Sequence, residues 1–318
     1  MSTCITFHGY VICGYVSMIV FYKKRRIIYF AIQNICHFLN AFSPETDIGG
    51  KHINAQLFLY FVTIASVEVF LSLFFLYQEL DYYRQVVTIP TFIPDDLKEA
   101  YLFLVAFCVI AGFALSVTIS GFSFLISHHL YTTQATILNL YAQKLKGRVR
   151  RMSWSVNTIS DDISVFKNIL FRFHEIDEAL NSGVLYLYAT AMCGFFNTIS
   201  VMVSDSPYLK TAPAICYIVW SFFTSFWVFF ELSAQGSRII VQSEKVKRQL
   251  TECSDKLIRS SPSMSVLKVH HFLREIVMTS NIVVTGGGMF VINSSLMLTI
   301  CGTLVTYGVL LSQLDSSS

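Results

Sequence analysis

Residues 102–117 read LFLVAFCVIAGFALSV. Wound as a helix, this run is apolar on every face, which suits a segment enclosed by lipid or by other helices rather than one lying on a soluble core. Six blocks of this kind run along the chain, at 4–22, 54–78, 100–127, 184–204, 211–235 and 281–311. Each comes close to or exceeds the roughly 20 residues a helix needs to cross about 30 Å of hydrocarbon. Within them the only acids are Glu68 and Glu231, and there is no Lys or Arg. A membrane β-barrel would instead alternate apolar and polar residues in strands of about ten. The expected fold class is therefore an all-α polytopic membrane protein with six transmembrane helices. Composition agrees: 54% of the residues are hydrophobic and 14% charged, where soluble domains run nearer 45–50% and about 25%. No internal repeat or low-complexity segment interrupts the pattern.

The loops differ sharply in charge. Lys23, Lys24, Arg25, Arg26 and Lys51 follow the first block, and residues 79–99 hold only Arg84 and Lys98 beside Glu79, Asp81, Asp95, Asp96 and Glu99. Seven basic residues lie in 128–183 (Lys144, Lys146, Arg148, Arg150, Arg151, Lys167 and Arg172), and the turn at 205–210 has Lys210 alone. Residues 236–280 carry eight more: Arg238, Lys245, Lys247, Arg248, Lys256, Arg259, Lys268 and Arg274. Alternate loops thus collect twenty of the 23 basic residues, and Lys and Arg mark the cytoplasmic side. The expected organisation follows. Residues 1–127 hold three membrane helices with a basic inner and an acidic outer loop, 128–183 form a cytoplasmic helical connection, and 184–235 hold two more membrane helices. Residues 236–280 form anchor-like cytoplasmic helices, 281–314 the terminal helix, and 315–318 an outside tail. Both termini lie outside in this frame. Residues 1–22 do not fit a cleaved signal peptide, whose positive charge precedes its apolar stretch. The formal net charge of +3 conceals this asymmetry, and no motif points to nucleic acid.

Cys4, Cys13, Cys108, Cys193, Cys216 and Cys301 fall in membrane blocks, and Cys36 and Cys253 in inner loops, so no outside disulfide is expected. The doublets His128–His129 and His270–His271 sit at inner helix ends. Sequence neighbours on a helix point about 100° apart, which spoils a doublet as a chelating face; contact with helix dipoles or headgroups is the simpler reading. No metal site is expected.

The inner connections show helical spacing, as in Ile163, Phe166, Leu170 and Phe173, and are read as helices continuing below the bilayer. The last block would measure roughly 46 Å at about 1.5 Å per residue, so it either tilts or begins inside the cytoplasmic layer. Gly286, Gly287 and Gly288 lie at that change. Each glycine costs a helix about 1 kcal/mol relative to alanine. The triplet marks a hinge or close helix contact, or else a small-residue packing patch.

Further along the same block, small polar groups share one arc. With Ser295 at zero and about 100° per residue, Thr299, Thr303, Thr306 and Gln313 fall within about 80°, as does Leu310. Leu298 and Val305 mark the opposite side, suited to lipid or protein packing. The hydroxyls either bond their own helix and glue it to a neighbour, or they line water, with Gln313 forming a ring of amides and Leu310 an apolar ring able to gate by dewetting. The second reading requires several subunits around this helix.

The order of residues in GGMFVINSSLMLTICGTLVTYGVLLSQL resembles the terminal signature of the arthropod gustatory receptor family, which is related to the insect odorant receptors. The matching residues are Gly288, Phe290, Ile292 and Asn293, then Thr306, Tyr307, Gln313 and Leu314. A weaker likeness covers NILFRFHEIDEALNSGVLYLYATAMCGFFNTI. The blocks then correspond to the second through seventh helices of the family, with its first helix missing. The resemblance implies a ligand-gated cation channel in the plasma membrane, a homo- or hetero-tetramer whose last helices surround the pore and whose cytoplasmic helices anchor the subunits. It implies a small-molecule tastant as ligand, Gln313 at the outer constriction, Leu310 at the gate and Thr306–Tyr307 below it. It implies no cofactor and no enzymatic activity.

Family members are similar in binding ligands in the outer half of the bundle. In that frame Glu68 and Ser72 share a face, and Tyr217, Ser221 and Thr224 share another with Glu231, Trp220 lying beside it. A membrane-embedded carboxylate faces the bundle interior, as ligand contact or as structural pair; Glu231, near the inner end, suits gating or packing. A non-conducting partner or truncated member of the family is the first alternative. A G-protein-coupled receptor lacks its acid–Arg pair and proline-aromatic signature here, and a transporter lacks symmetric broken helices.

Overall fold

The computed structural model describes residues 2–42, 59, 62–63, 66–67, 70, 93–151, 155–203, 212–260 and 262–315. Its elements are α1 (Ser2–Phe42), a 3-10 turn at Asp95–Leu97, α2 (Lys98–Arg151), α3 (Val156–Val203), α4 (Ala212–Ser260), α5 (Met264–Thr279), the strands β1 (Thr285–Gly286) and β2 (Phe290–Val291), and α6 (Ser294–Asp315). Leu59, Val62, Thr63, Ser66, Val67 and Phe70 are also helical, and the rest of the 54–78 block lies outside the described residues.

The long helices explain how apolar and charged stretches join. α2, α3 and α4, at 54, 48 and 49 residues, each carry one apolar block straight into a charged extension without a break. Ile163, Phe166 and Phe173 are buried and Leu170 is half-buried, so the helical spacing read below the bilayer corresponds to a packed face. Around them Tyr131, Ile137, Leu138, Tyr141 and Leu145 of α2, Ile239, Val246, Leu250 and Leu257 of α4 and Leu273 of α5 complete the core. α1 extends through the basic cluster Lys23–Arg26 without stopping. Two described helices, Asn157–Val203 and Ser294–Gln313, are long and apolar enough throughout a window to cross a membrane.

α1 lies antiparallel against α3. Lys24 Nζ donates to Glu178 O at 2.6 Å, Asn181 Oδ1 at 3.3 Å and Ser182 Oγ at 3.1 Å. One turn away, Phe21 presses on Gly183, where an added Cβ would lie 2.1 Å from the ring. In the charged extensions, Arg148 and Asp162 join α2 to α3 at 2.5 Å, and Tyr141 Oη donates to the Asp162 carbonyl at 2.9 Å. Burial pushes the Asp162 carboxyl up despite the guanidinium beside it, and pushes the Cys253 thiol up to about 12.

The terminal block departs from the sequence reading. It is not one helix over 281–311: α6 begins at Ser294, and residues 285–291 form a two-stranded antiparallel hairpin pairing Thr285 with Val291 and Gly286 with Phe290. Gly287 and Gly288 have φ of 62° and 70°, and Met289 N donates to Gly286 O at 3.0 Å. Successive left-handed residues make the tight turn that matches strand twist, and glycine adopts it without strain. The triplet is thus a turn and not a helix hinge, while the close-contact alternative holds at Gly287, where an added Cβ would lie 2.7 Å from Leu185 of α3.

Candidate functional site

Two surfaces stand out: a cavity between α2, α3 and α4, and the face of α6. The cavity, about 480 Å³, is lined by Thr63, by Ser120 and Phe124 of α2, by Thr190 and Ala191 of α3, and by Trp220, Phe223, Thr224, Ser225, Phe226 and Trp227 of α4. Its size and its apolar lining with a few polar groups are those of small-molecule sites. No charged side chain lines it among the described residues. Three of its hydroxyls are turned inward to their own helices: Thr190 donates to Tyr186 O at 2.8 Å, Thr224 to Trp220 O at 3.0 Å and Thr63 to Leu59 O at 2.8 Å. Ser225 differs. It is 4% exposed, and its Oγ has no hydrogen-bond partner among the described residues.

Of the sequence-based ligand candidates, Trp220 and Thr224 meet at this cavity. Ser221 is buried but does not line it. Glu68, Ser72 and the Tyr217 side chain lie outside the described residues. The cavity also sits lower than expected. Phe124 is near the inner end of its block and Leu187 near the inner start of the next, which places the described cavity in the inner half of the charge-derived frame. Ser225 was missed because it falls outside the arc shared by Ser221 and Thr224; the buried Ser221–Ser225 spacing of four was the available signal. Glu231 is bound below the cavity, accepting from Gln235 Nε2 at 2.7 Å and lying 3.4 Å from His128 Nδ1. Burial lowers His128 toward its neutral form, the Glu231 carboxylate opposing and Arg238 reinforcing that direction. Neither His doublet belongs to a cluster of three or more metal-ligating residues among those described, and His270 Nδ1 instead pairs with Ser254 Oγ at 2.7 Å.

α6 packs through one narrow face. Leu296, Met297, Ile300 and Leu304 lie against the core, and Tyr307 meets the Phe196 ring edge-on at 4.6 Å and Ser200 Oγ at 3.1 Å. The sequence-derived polar arc of Ser295, Thr299, Thr303, Thr306, Leu310 and Gln313 is exposed along its whole length. Leu298 and Val305, 77% and 68% exposed, are not packed within the chain either, so the packing face is a third one between those two sides. Thr299, Thr303 and Thr306 donate to the carbonyls of Ser295, Thr299 and Gly302 at 3.1, 3.0 and 2.9 Å. Their hydroxyls bond their own helix, as the simpler reading held, yet they glue no described helix to α6.

The signature residues acquire physical roles. Gly288 closes the hairpin turn, and Phe290 stacks edge-on against Tyr188 at 5.5 Å. Ile292 is fully buried, with its carbonyl against Gly236. Asn293 caps α6, its Oδ1 accepting from Leu296 N at 3.0 Å.

No protein-family model matches the sequence, and no curated protein matches it. Among solved structures it is similar to the insect olfactory receptor OR5 from Machilis hrabei, with a TM-score of 0.61 at 13% identity over 98% of this chain and 80% of that one. The same receptor in complex with eugenol gives a TM-score of 0.60 at 14% identity, over 98% and 85% of the two chains. The long helices that run from apolar into charged territory, the hairpin and the terminal helix held by one face thus form the fold of an insect olfactory receptor.

Proposed function

We propose that this chain is a chemoreceptor subunit of gustatory type, a ligand-gated cation channel of the plasma membrane that works as a tetramer. The observation that carries the reading is the exposed arc on α6, set on a fold shared with an olfactory receptor. A polar stripe that no described helix covers suits a face turned to an aqueous path, with copies of itself around that path. The back-bonding sharpens the selectivity. A threonine hydroxyl that spends its proton on its own helix presents only lone pairs outward, so Thr299, Thr303 and Thr306 offer acceptors to a passing cation and nothing to an anion. Leu310 supplies the apolar constriction and Gln313 the outer amide ring.

The ligand enters the cavity of α2, α3 and α4. Aromatic walls with no charged group among the described residues favour a small neutral molecule with an aromatic or extended apolar body, and Ser225, whose Oγ is buried at the lining, is the candidate to hydrogen-bond it once a ligand opens that wall. Eugenol, present in the complex of the similar receptor, is a suitable first probe. The test is a particle image of purified protein together with whole-cell recording under eugenol and a panel of neutral tastants. Four-fold particles centred on α6 and evoked cation currents are expected. Monomeric particles with no current under any probe would overturn the reading.

A further inference from the structure

One turn of α3, Asp177 to Ser182, holds two other parts of the chain at once. On one side the Asp177 carboxylate receives the head of the hairpin through both oxygens, Thr285 N donating to Oδ1 and Thr285 Oγ1 to Oδ2, each at 2.9 Å. Gly287 N adds a bond to the Asn181 carbonyl at 2.8 Å. On the other side Lys24 of α1 donates to Glu178 O, Asn181 Oδ1 and Ser182 Oγ. Asn181 therefore bonds the hairpin with its backbone and α1 with its side chain. The hairpin runs into α6 through Ile292, which is fully buried, and the Asn293 cap. Above it α6 packs, among the described elements, mainly against α3 and α4 along a single face, with Ser294 Oγ 2.8 Å from Ser237 Oγ at its foot.

Such an arrangement is more than local packing. A carboxylate accepting a backbone N–H and a hydroxyl from the same residue restrains both the position and the rotation of that residue, because it holds the residue at two separate atoms. A pure packing contact allows sliding; this one does not. The half-buried carboxyl accepts the cost of its setting: burial pushes it up, and the two bonds from Thr285 pull it back. Further along α6, Leu296, Ile300 and Leu304 make apolar contacts, and Tyr307 Oη pairs with Ser200 Oγ at 3.1 Å, which ties the helix to α3 alone and not to α1.

We propose that Asp177, by gripping Thr285 through both carboxylate oxygens, is a positioning residue that ties the foot of α6 to the α1–α3 pair, so that the terminal helix moves with that pair. Its consequence for gating rests on the channel reading: the clamp holds the helix in its resting place, and its loss raises the current that flows without ligand.

Hydrogen–deuterium exchange on the purified full chain tests the tie without any ligand. Asp177→Ala is expected to speed exchange not only at residues 285–293 but also through the first two turns of α6, by about fivefold to 150-fold, as when two hydrogen bonds of ordinary net strength are lost. Asp177→Asn should restore wild-type exchange, since its Oδ1 can accept from Thr285 N–H while its Nδ2 donates to the Thr285 hydroxyl. Should Asp177→Ala fail to fold, Thr285→Val removes one of the two bonds and should show the same spread at smaller amplitude. Exchange that quickens at 285–287 alone, or an Asp177→Asn variant as loose as Asp177→Ala, overturns the proposal. Whole-cell recording then adds an independent arm, with resting current expected to rise about threefold in Asp177→Ala, a shift of about 0.65 kcal/mol. A wild-type protein that passes no current under any condition, while exchange spreads into α6 as stated, removes the channel reading and leaves the clamp standing. Wild-type channels with normal currents and an Asp177→Ala variant unchanged in both readouts sink the clamp alone.

Discussion

Two glycines inside long helices predict opposite effects of one substitution. At Gly236, in α4, a Cβ would lie 2.5 Å from the Ile292 carbonyl oxygen and 2.9 Å from its Cγ2, against 3.4 Å or more for ordinary contact, so about 0.9 Å must be found. The near atom is backbone at the foot of α6 and has no rotamer to change. At Gly147, in α2, an added Cβ meets nothing within 4 Å. Alanine gains about 1 kcal/mol of helix propensity at either position, while overpacking against a fixed neighbour costs about 1–3 kcal/mol. Gly147→Ala should therefore stabilise by about 1 kcal/mol, and Gly236→Ala should be neutral or destabilise by up to about 2 kcal/mol. Tryptophan fluorescence during heating in detergent micelles would read the difference as apparent midpoints that move apart, with both variants scanned at one rate because unfolding of such proteins is often irreversible. Gly236→Ala should also shift the resting current, since the displaced atom belongs to the segment that feeds α6. If Gly236→Ala raises the midpoint as much as Gly147→Ala does, the close approach of α4 to the hairpin is wrong, and with it the placement of the terminal helix.

The remaining predictions concern the pore and the charged extensions. Gln313→Ala should change relative cation permeability while surface labelling stays normal; reversal potentials identical to wild type would count against an outer constriction there. Leu310→Ala should leak without ligand, and a silent channel that still reaches the surface would remove it as the gate. Arg148→Ala leaves the Asp162 side chain, 4% exposed, as an uncompensated buried carboxylate, at a cost of about 3–5 kcal/mol. Because the folded-state carboxyl is already raised by burial and loses its main opposing charge, protonation relieves it, so the variant should lose less stability near pH 5.5 than near pH 8. An equal loss at both values would show that Asp162 is solvated.

Much of the architecture was legible in one dimension because the bilayer imposes it. Twenty residues without charge have few alternatives to a helix in lipid, and the alternation of basic loops follows from the cost of moving Lys and Arg across. The spacing of Ile163, Phe166 and Phe173 likewise foretold a buried face. The terminal block misled for a physical reason. Residues 281–311 are apolar enough to pass for a single helix, and three glycines weaken a helix without saying what replaces it. The hairpin is held by partners far away in sequence: the carboxylate of Asp177, more than a hundred residues earlier, the Asn181 carbonyl and the ring of Tyr188 against Phe290.

The candidate sites divide in the same way. The polar arc on α6 could be drawn from a period of about 3.6 residues, but period alone could not say whether another helix covered it; the position of α3 and α4 decided that they do not. The order of residues from Gly288 to Gln313 carried the resemblance to chemoreceptors, yet the reasons for that order are tertiary: a turn at Gly288, a ring stack at Phe290, a cap at Asn293 and an anchor at Tyr307. The cavity was legible only in part: Trp220 and Thr224 stood among the ligand candidates, but Ser120, Thr190 and Ser225 come from three helices and no sequence interval connects them. Hydrophobicity and charge are properties of a residue and its chain neighbours, so the sequence determined where helices run and which ends are basic. Burial, pairing and enclosure depend on which distant residues share a place, and only the folded chain decides that.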